Sequence, residues 1–246
     1  MTEGIHFLDA RAPDGMRLYA IGDVHGRLDL LTAMHERIAA ELERDRPADW
    51  RIVHLGDYVD RGPDSKGVID FLIAAQQRDP RMIALAGNHD IGFLDFLAMP
   101  DAEGLFARYG GRETALSYGV AIDFSDPASV EQGWKDLVRA VSPEQRRFLH
   151  ELPYSASFGD FFFCHAGVRP GIALERQAHD DLIWIRTAFH NHPGLYEKII
   201  VHGHTPQPEA ELMPNRVNVD TGAWQTGILT ALVVDGVEKR VLTATG

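Results

Sequence analysis

Apolar positions along this chain come in short runs of two kinds. Met16–Ile21 is an apolar run of strand length, and over 28–44 Leu30, Met34, Ile38 and Leu42 recur every four residues on one helical face. A second strand is expected over 51–55. A helix should then start at Asp64 or Ser65 and pack through Val68, Ile69, Leu72 and Ile73. A third strand over 81–86 and a helix beginning over 91–98 complete a β-α-β-α-β rhythm. Such a rhythm implies mostly parallel strands with crossover helices and ligands at the strands' carboxyl ends.

The pattern changes after residue 100. From about 100 to 152 the chain is polar and helical, and Ser142-Pro143-Glu144-Gln145 combines an N-cap serine, a first-turn proline and a capping-box glutamine. This stretch reads as a helical cap insertion outside the sheet, with substrate recognition over the cleft as the alternative. Runs over 154–158 and Phe161–Cys164 flank Gly159-Asp160, a two-residue hairpin signal. Strands follow over 198–201, 216–219 and 227–234, and Asp235-Gly236 turns the chain into a last strand over 237–242. The expected architecture is α/β, with two packed mixed sheets and helices outside. The first sheet should be the more parallel and the second the more antiparallel. No linker divides the 246 residues, so one domain over 1–246 is expected.

A hydrophobic content of 45% supports a substantial core, and the formal net charge of -12 argues against general nucleic-acid or anionic-lipid binding. A bound metal pair can still make one cleft positive. Cys164 is the single cysteine, which excludes an internal disulfide and fits a reducing compartment. Residues 1–8 lack a basic segment followed by an apolar one, and no apolar run approaches membrane-spanning length, so the expected location is the cytoplasm.

Five motifs place Asp, Asn or His where an apolar run meets a glycine: Gly22-Asp23-Val24-His25-Gly26, Gly56-Asp57-Tyr58-Val59-Asp60-Arg61-Gly62, Gly87-Asn88-His89-Asp90, His165-Ala166-Gly167 and His202-Gly203-His204-Thr205. Asp23 and His25 are two apart, so on extended backbone they point the same way and can share an ion. Asp57 offers two carboxylate oxygens that can bridge two ions, while Asn88, His165 and His204 supply neutral ligands. Mixed oxygen and nitrogen donors without thiolate suit manganese, with iron and zinc also compatible. Two such ions can hold a phosphoryl oxygen and acidify a bridging water.

In this order the motifs resemble the PPP-type metallophosphoesterases, the calcineurin-like superfamily of eukaryotic Ser/Thr protein phosphatases, lambda phosphatase and symmetrical diadenosine tetraphosphatases. The segment Val219-Asp220-Thr221-Gly222 is similar to the bacterial members. The resemblance implies a four-layer α/β/β/α sandwich with two divalent ions. Asp23, His25 and Asp57 would bind the first, and Asp57, Asn88, His165 and His204 the second. His89 matches the general acid, Asp60 the carboxylate that orients it, and Arg61 a phosphate-binding guanidinium, with Arg186 in Leu182-Ile183-Trp184-Ile185-Arg186 as a second. Two departures are Ala86, where many members carry Arg, and Asp90, where Glu is usual.

The expected activity is phosphomonoester hydrolysis by in-line attack of a metal-bridging hydroxide, as in a protein serine/threonine phosphatase. Its partners would be phosphoproteins or small phosphate esters. The alternative is a symmetrical bis(5'-nucleosyl)-tetraphosphatase, and a non-catalytic phosphoryl-binding protein is a third reading. The monoester reading rests on the supply of cations, since only Arg27, Lys66, Arg169 and Arg186 lie near the motifs to meet a polyphosphate. His202 and His54 are expected to be packed rather than ligating. His6, His35, His150, His179, His190 and His192 are expected in solvent. Trp50, Trp134 and Trp184 are read as packing residues, while Tyr58 and Trp224 stand open between packing and lining the cleft.

Overall fold

The computed structural model describes residues 4–246. Its first half runs β1 (Met16–Ile21), α1 (Leu28–Asp45), β2 (Asp49–His54), α2 (Ser65–Arg78), β3 (Met82–Ala84) and α3 (Asn88–Ala98). Asp64 caps α2 by accepting from the Gly67 amide at 2.8 Å. The expected third strand is cut to three residues because the chain then leaves the sheet: the Ala86 amide turns to the Pro153 carbonyl at 2.9 Å. Four helices follow: α4 (Leu105–Arg108), α5 (Gly111–Ser117), α6 (Pro127–Ala140) and α7 (Pro143–His150). Helix α7 opens with the reciprocal Ser142–Gln145 capping box.

The second half contains β4 (Ser155–Phe158), β5 (Phe161–Cys164), α8 (His179–Trp184), α9 (Thr187–His190), β6 (Ile199–His202), β7 (Glu211–Leu212), β8 (Arg216–Asn218), α10 (Ala223–Thr226), β9 (Ile228–Asp235) and β10 (Glu238–Thr245). One sheet has the order β10-β9-β1-β2-β3 and the other β4-β5-β6-β8-β7. The expected contrast between a parallel and an antiparallel sheet is not observed, since each carries two parallel and two antiparallel pairings. The C-terminal hairpin explains the difference. It returns to the first sheet, where β9 pairs antiparallel with β1, and β5, β6 and β8 are left side by side and parallel.

Strand alternation builds the layers. Leu18, Ala20 and Val53 face Phe161, Phe163, Ile199, Val201 and Val217 in a core between the sheets. Tyr19, Ile21 and Ile52 point the other way, onto Leu30, Met34 and Ile38 of α1 and Val68, Ile69 and Leu72 of α2. On the far side Phe162, Cys164 and Ile200 pack against Leu182, Ile185 and Phe189. The result is a four-layer α/β/β/α sandwich. Cys164 is fully buried, and burial raises its thiol pKa, so it behaves as a small hydrophobe. Among the described residues no helix is long and apolar enough to cross a membrane. The expectation for residues 1–8 falls partly on residues 1–3, outside the described residues.

Candidate metal centre

The loops that leave β1, β2, β3, β5 and β6 carry the five motifs to one edge of the sandwich. Six non-glycine residues among those described have positive φ, and five are His25 (43°), Asp57 (53°), Asp60 (70°), Arg61 (68°) and His204 (68°). Left-handed backbone costs such a residue about 1 kcal/mol. Its concentration here marks loops bent to aim side chains inward. Gly87 and Gly203 are required as glycine, because a Cβ would overlap the Asp57 and Asp23 carboxylates respectively.

Two groups of buried donors form, one of His25, Asp57 and His89 and the other of Asp57, His165 and His204. Asp57 stands in both. His25 Nδ1 donates to the Val59 carbonyl at 2.7 Å, so its unpartnered Nε2 is a lone pair 3.4 Å from Asp57 Oδ2. His165 Nδ1 donates to the Leu55 carbonyl at 3.0 Å, so its Nε2 is a lone pair too. That Nε2 lies 2.9 Å from Asn88 Oδ1, 3.1 Å from His204 Nδ1 and 3.4 Å from Asp57 Oδ2. The His25 and His165 Nε2 lone pairs thus face Asp57 Oδ2 with no hydrogen between them, and such contacts repel. A divalent cation among them removes the conflict, so the donor set fits metal. Asp23 lies at the back of this cluster, accepting from the His204 amide at 3.1 Å.

Burial shapes the charges. It lowers the pKa of His25 to about 3 and also lowers those of His165 and His204, leaving neutral imidazoles suited to ligation. Burial opposes ionisation of Asp57, but His165, His89, His25 and His204 outweigh it and hold the carboxyl below its usual range. For Asp23, burial and then the charges of Asp220 and Asp57 raise the pKa well above normal. Burial pushes its neighbour Asp220 up to about 6. Buried carboxylates at this density need cations beside them to stay ionised together.

Beside the shared Asp57, His89 Nδ1 is 2.7 Å from Asp60 Oδ2. The Thr114 hydroxyl donates to Asp60 Oδ1 at 2.8 Å, and the Asp60 amide donates to Thr114 Oγ1 and Ser65 Oγ. Thr114 belongs to α5, so the helical stretch after residue 100 reaches back to fix this carboxylate. Burial opposes charge on His89, but Asp57 and the Asp60 hydrogen bond outweigh it and raise the pKa. Arg61 Nη2 donates to His89 Nε2 at 3.0 Å, and the Arg61 guanidinium stands 5.4 Å from the Trp224 ring centroid. Arg186 is exposed and donates to Thr205 Oγ1 at 3.1 Å.

Asp90 accepts from the amides of Gly87, Asp57 and Tyr58, each at 2.9 Å, and so clamps the second motif to the third. Burial pushes it up to about 8. Asp90 and Asp220 lie within or beside recognised motifs, which was the available signal for them. Thr114, far from any motif, gave none. Tyr58 is fully buried with its hydroxyl on the Leu85 carbonyl, whereas Trp224 opens to the cleft. His202 packs on Phe189 and His190 and lies outside both donor groups.

The expectations for Trp184 and for four of the six histidines placed in solvent need correction. Trp184 is 45% exposed at the end of α8, edge-on to His204, rather than packed, because that short helix buries Leu182 and Ile183 instead. His35 does not sit free in solvent. It stacks on His54 with their Nε2 atoms 2.9 Å apart, and burial takes its pKa down to about 3. His190 is also part-buried, with a shielded Nε2, and His6 and His192 are part-buried as well.

The calcineurin-like phosphoesterase family profile matches residues 16–227. A bis(5'-nucleosyl)-tetraphosphatase PrpE [asymmetrical] from Anoxybacillus flavithermus is 25% identical over 232 residues, 86% of this chain and 88% of the relative. Among solved structures, a candidate diadenosine tetraphosphatase superposes with a TM-score of 0.65 at 18% identity, covering 96% of this chain and 98% of its own. A Saccharomyces cerevisiae serine/threonine phosphatase with similarity to human PP5 gives 0.57 at 14% identity, covering 98% and 85%. With the profile spanning most of its length and the donor groups in place, this chain belongs to the calcineurin-like phosphoesterase family, whose members are metal-dependent hydrolases of phosphoric esters.

Proposed function

We propose that the protein is a divalent-metal hydrolase of dinucleoside polyphosphates, cleaving bis(5'-nucleosyl) tetraphosphates asymmetrically. The chemistry rests on one observation: Asp57 stands between the Nε2 lone pairs of His25 and His165, with the His89–Asp60 pair against it. The choice of substrate is supported by the tetraphosphatase relative, which aligns over nearly the whole chain. It replaces the monoester preference expected from the sequence, and asymmetric cleavage replaces the symmetric alternative.

In this reading Asp23, His25 and Asp57 hold one ion, and Asp57, Asn88, His165 and His204 hold the other, manganese being the expected metal. Ions held there supply Lewis acidity to the phosphoryl oxygens and to the attacking water. Arg61 and Arg186 steady those oxygens through planar forks that meet two at once. While Arg61 donates to His89 Nε2, that nitrogen must keep its lone pair. A phosphoryl group that draws the guanidinium away frees Nε2 to carry a proton. The water releases a proton to solvent as its oxygen bonds to phosphorus in line, the P–O bond opposite breaks, and His89 gives its proton to the departing oxygen. Asp60, fixed by Thr114 and Ser65, sets the imidazole's tautomer and orientation.

The test is kcat/KM with manganese on diadenosine tetraphosphate, a phosphoserine peptide and an aryl phosphate, side by side. The dinucleotide should lead each monoester by at least about tenfold, roughly 1.4 kcal/mol of transition-state stabilisation. A faster phosphopeptide would return the assignment to a protein serine/threonine phosphatase.

A further inference from the structure

A cavity of about 810 Å³ opens beside the metal centre, between the loop after β1, the loop before α2 and helix α10. Gly26, which ends the first motif, and Pro63, which follows the second, line it together with Leu28, Thr32 and Trp224. Its volume lies in the range of small-molecule sites. Trp224 is 38% exposed, and the Arg61 guanidinium sits over its ring.

The charges in this cavity do not suit phosphate. Arg27 is paired with Asp29 at 2.7 Å and donates to the Ala223 carbonyl at 3.0 Å, so its charge is already met. Asp64 adds a second carboxylate to the lining. Of the other three candidate cations, Lys66 is engaged with Asp70 at 2.6 Å and Arg169 with Asp181 at 2.5 Å, while Arg186 meets only the Thr205 hydroxyl. A lining that combines Leu28, Pro63 and Trp224 with carboxylate and hydroxyl oxygens suits an uncharged planar base and its ribose hydroxyls.

We infer that this cavity is a nucleoside subsite in which the base of the leaving nucleotide stacks on Trp224, while its phosphates reach the metal centre past Arg61. The inference rests on the dinucleoside polyphosphate reading for its substrate. The side of the site follows from the contacts: Arg61 joins Trp224 to His89 Nε2, the atom that would give its proton to the departing oxygen in the proposed reaction. Trp224 therefore specifies a nucleotide over a compact ester, because stacking accepts any base but needs one.

Two measurements on the metal-loaded protein test this. Calorimetric titration with a methylene-bridged ATP analogue should show Trp224→Ala raising Kd about tenfold or more, with Trp224→Phe within about threefold of the unmodified protein. The ratio of kcat/KM for diadenosine tetraphosphate to that for glycerol 2-phosphate, which has no ring to stack, should fall by a similar factor in the Ala variant alone. Unaltered analogue affinity in Trp224→Ala would overturn the subsite, as would no binding by the unmodified protein. An equal loss on glycerol 2-phosphate would also overturn it, by showing that Trp224 only steadies Arg61. The two readings fail separately. Binding through Trp224 without dinucleotide cleavage would reject the proposed hydrolysis and keep the subsite. Cleavage that Trp224→Ala leaves intact would reject the subsite and keep the hydrolysis.

Discussion

His89 holds two hydrogen bonds that pull its chemistry in opposite directions. Asp60 stabilises the imidazolium through Nδ1, while Arg61 occupies Nε2 and opposes a second proton. If His89 is the acid, His89→Ala should keep its metals and lose roughly 10²–10⁴-fold in kcat on an alkyl phosphate. The loss should be smaller on diadenosine tetraphosphate, whose leaving phosphate needs little protonation. Equal losses on both would assign His89 another task. Asp60 raises the His89 pKa, so Asp60→Asn should lower it. The alkaline limb of the pH–kcat profile, where the acid form disappears, should then move to lower pH. A limb that stays in place would argue that Asp60 only fills space.

At the scale of elements, α5 and the α1–β2 contact make different contributions. Thr114 is the means by which α5 holds Asp60. Thr114→Val should lower kcat about tenfold, as supporting residues around a metal site commonly do. It should also cost about 1–3 kcal/mol in denaturant unfolding, because buried polar atoms lose their partner. A kcat within twofold of the unmodified protein would separate the insertion from the chemistry. Across the first sheet, His54 on β2 is buried against His35 on α1, and burial lowers its pKa to about 4. The unfolded chain binds a proton near the ordinary value of about 6.5 that the folded chain refuses. His54 therefore destabilises the fold increasingly as pH falls from about 6.5 towards 4, by up to about 3 kcal/mol, and has no such effect above 6.5. Denaturant titrations between pH 7 and 4.5 should show this slope, and His54→Gln should make it shallower. An unaltered slope in that variant would place the acid sensitivity elsewhere.

At the scale of the whole molecule, the layers were legible because strand alternation and the four-residue spacing of α1 are local patterns. The pairing of the two sheets was not. Nothing in the sequence of β9 says that its antiparallel partner is β1, more than two hundred residues earlier. The convergence of His25, Asp57, His165 and His204 was legible for a related reason: each motif is a contiguous strand end, so its residue types survive as a sequence signature. What the signature omits is whatever reaches the site from elsewhere, such as Thr114 from α5, or whatever depends on surface shape, such as the exposure of Trp224. The cations near the motifs illustrate the same limit. Arg27, Lys66 and Arg169 were countable from the sequence, but only their ion pairs show that their charges are already met.

In the proposed function one centre, organised around Asp57, hydrolyses dinucleoside polyphosphates. This is tested most directly by separating the products of diadenosine tetraphosphate chromatographically, with elemental analysis of the same protein samples. AMP and ATP should form in equal amounts with added manganese, and chelation should abolish cleavage. Asp57→Asn should lose both the reaction and most of its bound metal, since a neutral amide cannot compensate two dications. Intact dinucleotide under conditions where a phosphopeptide is hydrolysed, or full metal occupancy in Asp57→Asn, would contradict it.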